Sequence, residues 1–152
     1  MTKPKKTAIV TVVFILIISV IWLMQSPKTT LSELIQREID NLNEINEINI
    51  QVTDLETFER SIAEITQENL LETVYTKLKQ IELKQIRDGL DADGVEYGVL
   101  LHTPTKAFTF YLYHSDGESA HVDVKNYEVV NGDFKAALDD LDLEWKLDGE
   151  SK

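Results

Sequence analysis

The strongest constraint on the fold is an uncharged apolar run near the N-terminus, residues 8–24. Within these seventeen residues only Thr11 and Ser19 are polar. A helix of this length is about 26 Å long, which approaches the thickness of the hydrocarbon core of a bilayer. Because the run has no polar face, it predicts a transmembrane helix rather than a core helix of a soluble protein.

The residues on either side of this run predict its orientation. Lys3, Lys5 and Lys6 precede it, whereas only Lys28 closely follows it. The positive-inside rule therefore places the N-terminus in the cytoplasm and the rest of the chain outside the cell. Residues 23–27 contain no small-residue cleavage site, which favours an uncleaved signal-anchor over a cleaved signal peptide. A secreted, cleaved form is the alternative.

The predicted anchor divides the chain into four parts. We expect Ile9, Phe14 and Ile17 to contact lipid, and Trp22 to lie at the headgroup level, where indole rings are enriched. The predicted localisation is a single-pass protein of the cell membrane with an extracytoplasmic C-terminal domain. The parts are a basic cytoplasmic leader (1–7), the signal-anchor (8–24), a linker (25–30) and the extracytoplasmic domain (31–152).

Composition excludes several classes of function. The chain has 15 Lys and Arg residues against 27 Asp and Glu residues, a formal net charge of -12, and no cysteine. Such an acidic chain lacks the basic face that binding to nucleic acid requires. Without cysteine there are no disulfides and no thiolate catalysis or metal ligation. The chain also has no N-glycosylation sequon, and together these features fit a bacterial cell surface.

The first half of the outer domain has mostly helical periodicity. Thr30 and Glu33 have the spacing of a capping box and open an amphipathic stretch that extends to residue 45. Residues 48–52 then alternate between apolar and polar, as a short strand does. Residues 53–87 predict either two helices or one bent helix. Their apolar residues recur at helical spacing: Leu55, Phe58, Ile62, Ile65, Leu71, Val74, Leu78 and Ile81.

From residue 95 the apolar residues alternate, which predicts a three-stranded antiparallel meander. A loop over 115–117 keeps one side of the sheet apolar, because it pairs Phe108 with Val124, Phe110 with Val122 and Leu112 with Ala120. The same register pairs Tyr111 with His121 and Tyr113 with Ser119, and a turn at 104–105 pairs Leu101 with Phe108.

The C-terminal part predicts further short elements. Residues 127–130 suit a fourth strand, Asp133 suits the N-cap of a short helix, and residues 143–147 suit a last strand. The predicted fold class is α+β. It consists of an N-terminal single transmembrane helix followed by an outer domain of amphipathic helices packed on a three- to five-stranded antiparallel sheet.

The polar side of the predicted sheet is the candidate binding site. It presents Tyr111, Tyr113, His121, Glu96 and Asp123. Tyrosine combines a large contact area with a polar tip and is enriched at protein interfaces, so we expect this side to bind a protein partner. The alternative is a solvated sheet surface on which tyrosine serves as a good strand former.

The sequence predicts no metal site and no cofactor. His114 lies on the apolar side of the predicted sheet, whereas His102 and His121 lie two strands apart on the polar side, too far for one zinc ion. The acidic run over 88–94 lacks the carboxylates that an EF-hand needs at its first and last positions. No common catalytic motif is present.

These observations predict a non-catalytic, membrane-anchored protein-binding module that regulates or scaffolds a membrane complex of the cell envelope. The alternative is a membrane-anchored hydrolase of envelope polymers, with Glu96, His121 and Asp123 as acid–base groups. In layout, a basic leader followed by an apolar span, an amphipathic helix and a sheet also resembles type IV pilins, which implies a filament subunit. The chain departs from the pilin pattern because the processing glycine and the early glutamate are absent and Pro27 interrupts the helix.

Overall fold

The computed structural model describes residues 13–19, 28–87, 89–90, 93–115 and 117–148. Within these ranges nine strands form one antiparallel sheet, in the order β1-β4-β8-β7-β6-β5-β2-β3-β9. The strands are β1 (Lys28–Thr30), β2 (Glu47–Asp54), β3 (Arg60–Ile65), β4 (Glu82–Ile86), β5 (Val95–His102), β6 (Ala107–His114), β7 (Glu118–Val122), β8 (Lys125–Asn131) and β9 (Lys146–Leu147).

Three short helices pack on one side of this sheet. They are α1 (Leu31–Glu38), α2 (Glu68–Leu78) and α3 (Phe134–Asp139), and a 3-10 turn covers Leu42–Glu44. The capping box predicted for α1 is confirmed: the Thr30 side chain accepts a hydrogen bond from the Glu33 amide, and the Glu33 carboxylate accepts one from the Thr30 amide. Asp133 caps α3, as predicted, by accepting a hydrogen bond from the Ala136 amide.

The alternation of side chains gives the sheet a covered face and an open face. The covered face lies beneath the helices and forms the core with their buried residues. The open face carries mostly polar side chains, and no helix of the described residues packs over it. The central residues of the covered face are Ile48, Ile50, Val99, Leu101, Phe108, Phe110, Leu112, Ala120, Val122 and Tyr127.

The predicted register of the meander is confirmed in all pairs but one. Phe110 pairs with Val122, Leu112 with Ala120 and Leu101 with Phe108, and both tyrosine pairs of the open face are as predicted. The predicted pair of Phe108 and Val124 is wrong, because β7 ends at Val122. Asp123 and Val124 form a tight turn to β8 with φ angles of 43° and 57°, and such positive values suit a two-residue hairpin loop.

The predicted fold class is wrong in the balance of its elements. The sheet has nine strands rather than three to five, and the region predicted to be helical over 53–87 contains β3, α2 and β4. No helix begins directly after residue 53: the Asp54 carboxylate accepts hydrogen bonds from the amides of Glu56 and Thr57 in the turn to β3. Ile62 projects from the open face and Ile65 from the covered face, so their three-residue spacing imitates a helix.

The predicted membrane helix is also corrected. Of residues 8–24 the structure describes 13–19, which are helical. Within the described part of the chain, no helix is long and apolar enough to cross a membrane. The structure therefore does not support the signal-anchor, the single-pass location in the cell membrane or the extracytoplasmic placement of the following domain.

The other boundaries predicted near the N-terminus fall only partly on described residues. The leader 1–7 lies outside them, and so do Ile9 and Trp22 of the predicted anchor. Phe14 and Ile17 lie in the helical segment 13–19 and are 63% and 51% exposed. The predicted linker 25–30 includes strand β1, which pairs with β4 at one edge of the sheet.

Candidate functional site

The candidate site occupies the centre of the open face, where β5, β6, β7 and β8 lie side by side. Successive residues of a strand project to opposite sides, so alternate residues of these four strands share this surface. Four of the five residues predicted from the sequence are among them. We call this surface the tyrosine face; it comprises Glu96, Gly98, Tyr111, Tyr113, Ser119, His121 and Asn126.

Tyr111 is the most exposed aromatic side chain of this surface. It is 38% exposed and lies between Gly98 on β5 and His121 on β7. The ring extends over Gly98, where a Cβ atom would lie 3.5 Å from the Tyr111 ring. Because Gly98 has no side chain, it gives the ring a flat backbone surface to rest on, so Tyr111 is supported without being buried.

Tyr113 is held by its neighbour on β5. Glu96 lies directly opposite Tyr113 across the strand pair, and its carboxylate lies near the phenol. Burial, followed by the nearby negative charge of Glu96, raises the pKa of Tyr113 to about 12. The phenol therefore stays protonated throughout the physiological range and acts as a fixed donor.

His121 is oriented from the opposite side by β8. Its Nδ1 atom lies 2.7 Å from Oδ1 of Asn126, the residue directly across the strand pair. An amide oxygen only accepts hydrogen bonds, so this contact makes Nδ1 the protonated nitrogen. The other ring nitrogen, Nε2, remains for a second hydrogen bond. Like Tyr113, His121 is thus ordered by a cross-strand partner.

Asp123 lies in the β7–β8 turn, apart from the other predicted site residues. Glu96, Tyr113 and Ser119 share one row across the sheet, whereas Asp123 lies four residues beyond Ser119 along the chain. From strand spacing and rise, Glu96 and Asp123 are on the order of 15 Å apart. Glycosidases hold their two carboxyl groups within about 9.5 Å. The geometry therefore does not bring Glu96, His121 and Asp123 together as acid–base groups.

The three histidines do not share a site. His102 faces Glu47 on the open face, with 3.9 Å between Nε2 of the histidine and Oε1 of the glutamate. His114 projects from the covered face, at the end of β6. Among the described residues, no group of three or more His, Asp or Glu side chains is placed to hold a metal ion.

A titratable cluster at the end of the covered face was not predicted from the sequence. His114 Nδ1 and Glu118 Oε1 lie 3.4 Å apart, but both atoms are buried and neither has a hydrogen-bond partner of good geometry. Burial is the main cause that raises the pKa of Glu118, and the charge of Asp133 adds to it. The cluster packs beside the N-terminus of α3 and is shielded from the tyrosine face by the sheet.

Comparisons with protein-family models, with curated proteins and with solved structures give no match. The fold and the surface define the chain as a broad antiparallel sheet with helices on one face and an ordered tyrosine-bearing surface on the other.

Sequence reasoning found Tyr111, Tyr113, Glu96 and His121 but missed Gly98 and Asn126 as members of this surface. Gly98 breaks the run of larger residues on the open face of β5, which is a signal for close approach of a neighbouring side chain. Asn126 gave no such signal, since its position opposite His121 depends on the turn at Asp123 and Val124.

Proposed function

We propose that the protein is a non-catalytic protein-binding module that contacts its partner through the tyrosine face. The observation that carries the proposal is an ordered aromatic surface on the side of the sheet that the helices leave open. Tyr111 is exposed there, Tyr113 lies beside the Glu96 carboxylate, and His121 is fixed by a cross-strand hydrogen bond to Asn126. Tyrosine supplies contact area and a polar tip together, as residues at the centre of interfaces do.

The dimensions of the open face support binding to a macromolecule. Seven adjacent strands, from β4 to β3 in the sheet order, present it. At about 4.8 Å between strands and about 3.3 Å per residue, this surface measures about 750 Å². A standard protein interface buries about 800 Å² on each partner. A single partner domain can therefore cover the face, and such a contact would regulate or scaffold the partner without a chemical step.

The order of these side chains reduces the entropic cost of binding. Immobilising a free side chain at an interface costs about 0.5–1.5 kcal/mol. Tyr113 and His121 are already held by Glu96 and Asn126, and the Tyr111 ring is supported by Gly98. We therefore expect affinity to depend on the tyrosines and, through them, on the residues that hold them.

Photo-cross-linking in cells of the source organism tests this proposal. Benzoylphenylalanine replaces Tyr111 in one variant and Trp145 in another; Trp145 is 42% exposed and lies outside the tyrosine face. We expect a protein adduct of defined mass from position 111 and none from position 145. Adding Tyr113→Ala to the position 111 variant should reduce the adduct at least about fivefold, since hot-spot tyrosines contribute more than 1 kcal/mol each.

The control for folding is the far-ultraviolet circular dichroism spectrum of each variant, which should match the original protein. Equal adduct from positions 111 and 145, or an adduct that Tyr113→Ala leaves unchanged, would contradict the proposal. Absence of any adduct from position 111 would also contradict it.

A further inference from the structure

A groove on the covered side of the sheet lies between α2 and the loop that contains the 3-10 turn. Glu68, Leu71, Glu72 and Tyr75 form one wall, and their spacing places them on one face of α2. Leu42, Asn43 and Ile45 form the other wall. The groove has a volume of about 310 Å³, and a shallower depression of about 450 Å³ shares part of its lining.

The floor of this groove is apolar and preformed. Leu42, Ile45 and Leu71 are partly buried and pack against the core, which fixes their positions. The Tyr75 hydroxyl lies 3.0 Å from the Ser32 hydroxyl of α1, so the ring is held in place at the side of the groove. A rigid apolar floor of this kind binds apolar side chains with little reorganisation.

The rim of the groove is acidic. Glu68 and Glu72 are exposed on the α2 side, and Asp40 lies in the adjoining depression. Lys106 reaches this end of the groove, where its Nζ atom lies 3.5 Å from Asp40 Oδ2 and 3.1 Å from the Glu38 carbonyl oxygen. Among the described residues that line the groove and the depression, none is Lys or Arg.

We infer that this groove binds a basic amphipathic helical segment of a protein partner. Apolar side chains of such a segment would occupy the floor, and its Lys or Arg side chains would pair with Glu68 and Glu72. The pattern is that of a helix laid into an apolar groove, with charge complementarity selecting basic over acidic segments. The groove and the tyrosine face lie on opposite sides of the sheet, so the two sites can be occupied together.

Fluorescence anisotropy with a synthetic probe tests the inference. The probe is a fluorescein-labelled 18-residue Leu/Lys peptide with one apolar helical face, and its counterpart has Glu at every Lys position. The full chain with Glu68→Gln and Glu72→Gln should bind the Leu/Lys peptide about tenfold more weakly, since each rim pair contributes modestly. The Leu/Glu peptide should not bind.

A matched control separates the groove from the overall acidity of the chain. Glu56→Gln with Glu59→Gln removes the same charge from an exposed turn outside the groove, and it should change the affinity less than twofold. A second variant, Asn43→Trp, fills the groove without removing a carboxylate and should weaken binding at least about tenfold. Tyr111→Ala should leave the peptide affinity unchanged.

Three outcomes would overturn the inference. Equal losses in the two double variants would show that the peptide binds through diffuse charge. Unchanged binding in Asn43→Trp would place the peptide outside the groove. If sedimentation shows a dimer that Asn43→Trp dissociates, then a second copy of the chain, rather than a basic segment, occupies the groove.

Discussion

The two faces of one sheet use the same backbone for different purposes. On β6, Phe110 and Leu112 are fully buried beneath the helices, whereas Tyr111 and Tyr113, which alternate with them, project from the open face. The covered face stabilises the fold by burying apolar area. The open face contributes little burial and holds its side chains through pairwise polar contacts. Residues that stabilise the fold and residues proposed to bind a partner therefore alternate along the same strand.

On this sheet a side chain can be ordered without being buried. Side chains of the covered face are fixed by close packing. Those of the open face are fixed by a partner on the next strand, as in the pairs Glu96–Tyr113 and His121–Asn126. Substitutions on the covered face should therefore change the free energy of unfolding, and substitutions on the open face should change binding.

Two adjacent residues of β6 give the largest expected contrast. Phe110→Ala removes a fully buried ring and leaves a cavity, so it should lower the free energy of unfolding by about 3–5 kcal/mol. Tyr111→Ala removes a partly exposed ring and should cost about 1 kcal/mol or less. Urea denaturation followed by circular dichroism measures both values. Similar losses in the free energy of unfolding for the two variants would show that the two faces contribute equally to stability.

Substitutions of Gly94 and Gly98 compare a tightly packed backbone position with a position on the open face. Gly94 has a φ of 79°, and a Cβ atom there would lie 2.4 Å from the His114 carbonyl oxygen. At Gly98 a Cβ atom would make ordinary contacts, 3.5 Å from the Tyr111 ring and 3.9 Å from the Gln51 Cβ atom. Gly94→Ala should therefore destabilise the fold by about 2 kcal/mol. Gly98→Ala should change stability by less than about 0.5 kcal/mol. Thermal unfolding of both variants checks this, and a large loss at Gly98 would show that the open face is packed more tightly than described.

A smaller effect concerns Glu118 on the covered face. Burial first, and then Asp133, raises its pKa above the ordinary value of 4.5. The folded chain then binds more protons than the unfolded chain in the window between the two pKa values, so this group lowers stability as the pH rises through that window. Glu118→Gln removes the buried negative charge, which is costly to desolvate and lies near Asp133, and should raise the free energy of unfolding by about 1 kcal/mol at pH 7.

The control for Glu118→Gln is the same comparison below pH 4, where the carboxyl is protonated in both states and the gain should largely disappear. A gain that is independent of pH would assign the effect to packing rather than to titration. Because Glu118 projects from the covered face, the variant should leave cross-linking from position 111 unchanged.

The meander could be predicted from the sequence because its two faces differ in polarity. Apolar residues alternate through 95–101 and 108–112, so only one register keeps them together, and the observed register agrees. The pairs that build the tyrosine face followed from that register. The exception, Val124, depends on a turn whose positive φ angles are unusual for a β-branched residue and give no local signal.

The strands over 53–87 could not be predicted because apolar residues project from both of their faces. Ile62 on the open face and Ile65 on the covered face break the alternation and imitate helical spacing. The groove could not be predicted from the sequence either, because residues 40–45 and 68–75 meet only in the folded chain. Such tertiary contacts decide between strand and helix where local periodicity is ambiguous.

The most direct test of a sheet with one covered and one open face is the solvent accessibility of β6, residue by residue. A soluble gadolinium chelate added to the full chain broadens the NMR signals of side chains that solvent reaches. We expect strong broadening at Tyr111, weaker broadening at Tyr113, and little at Phe110 and Leu112, in an alternating pattern along the strand. Uniform protection of all four residues would show that another layer covers the tyrosine face and would contradict the account.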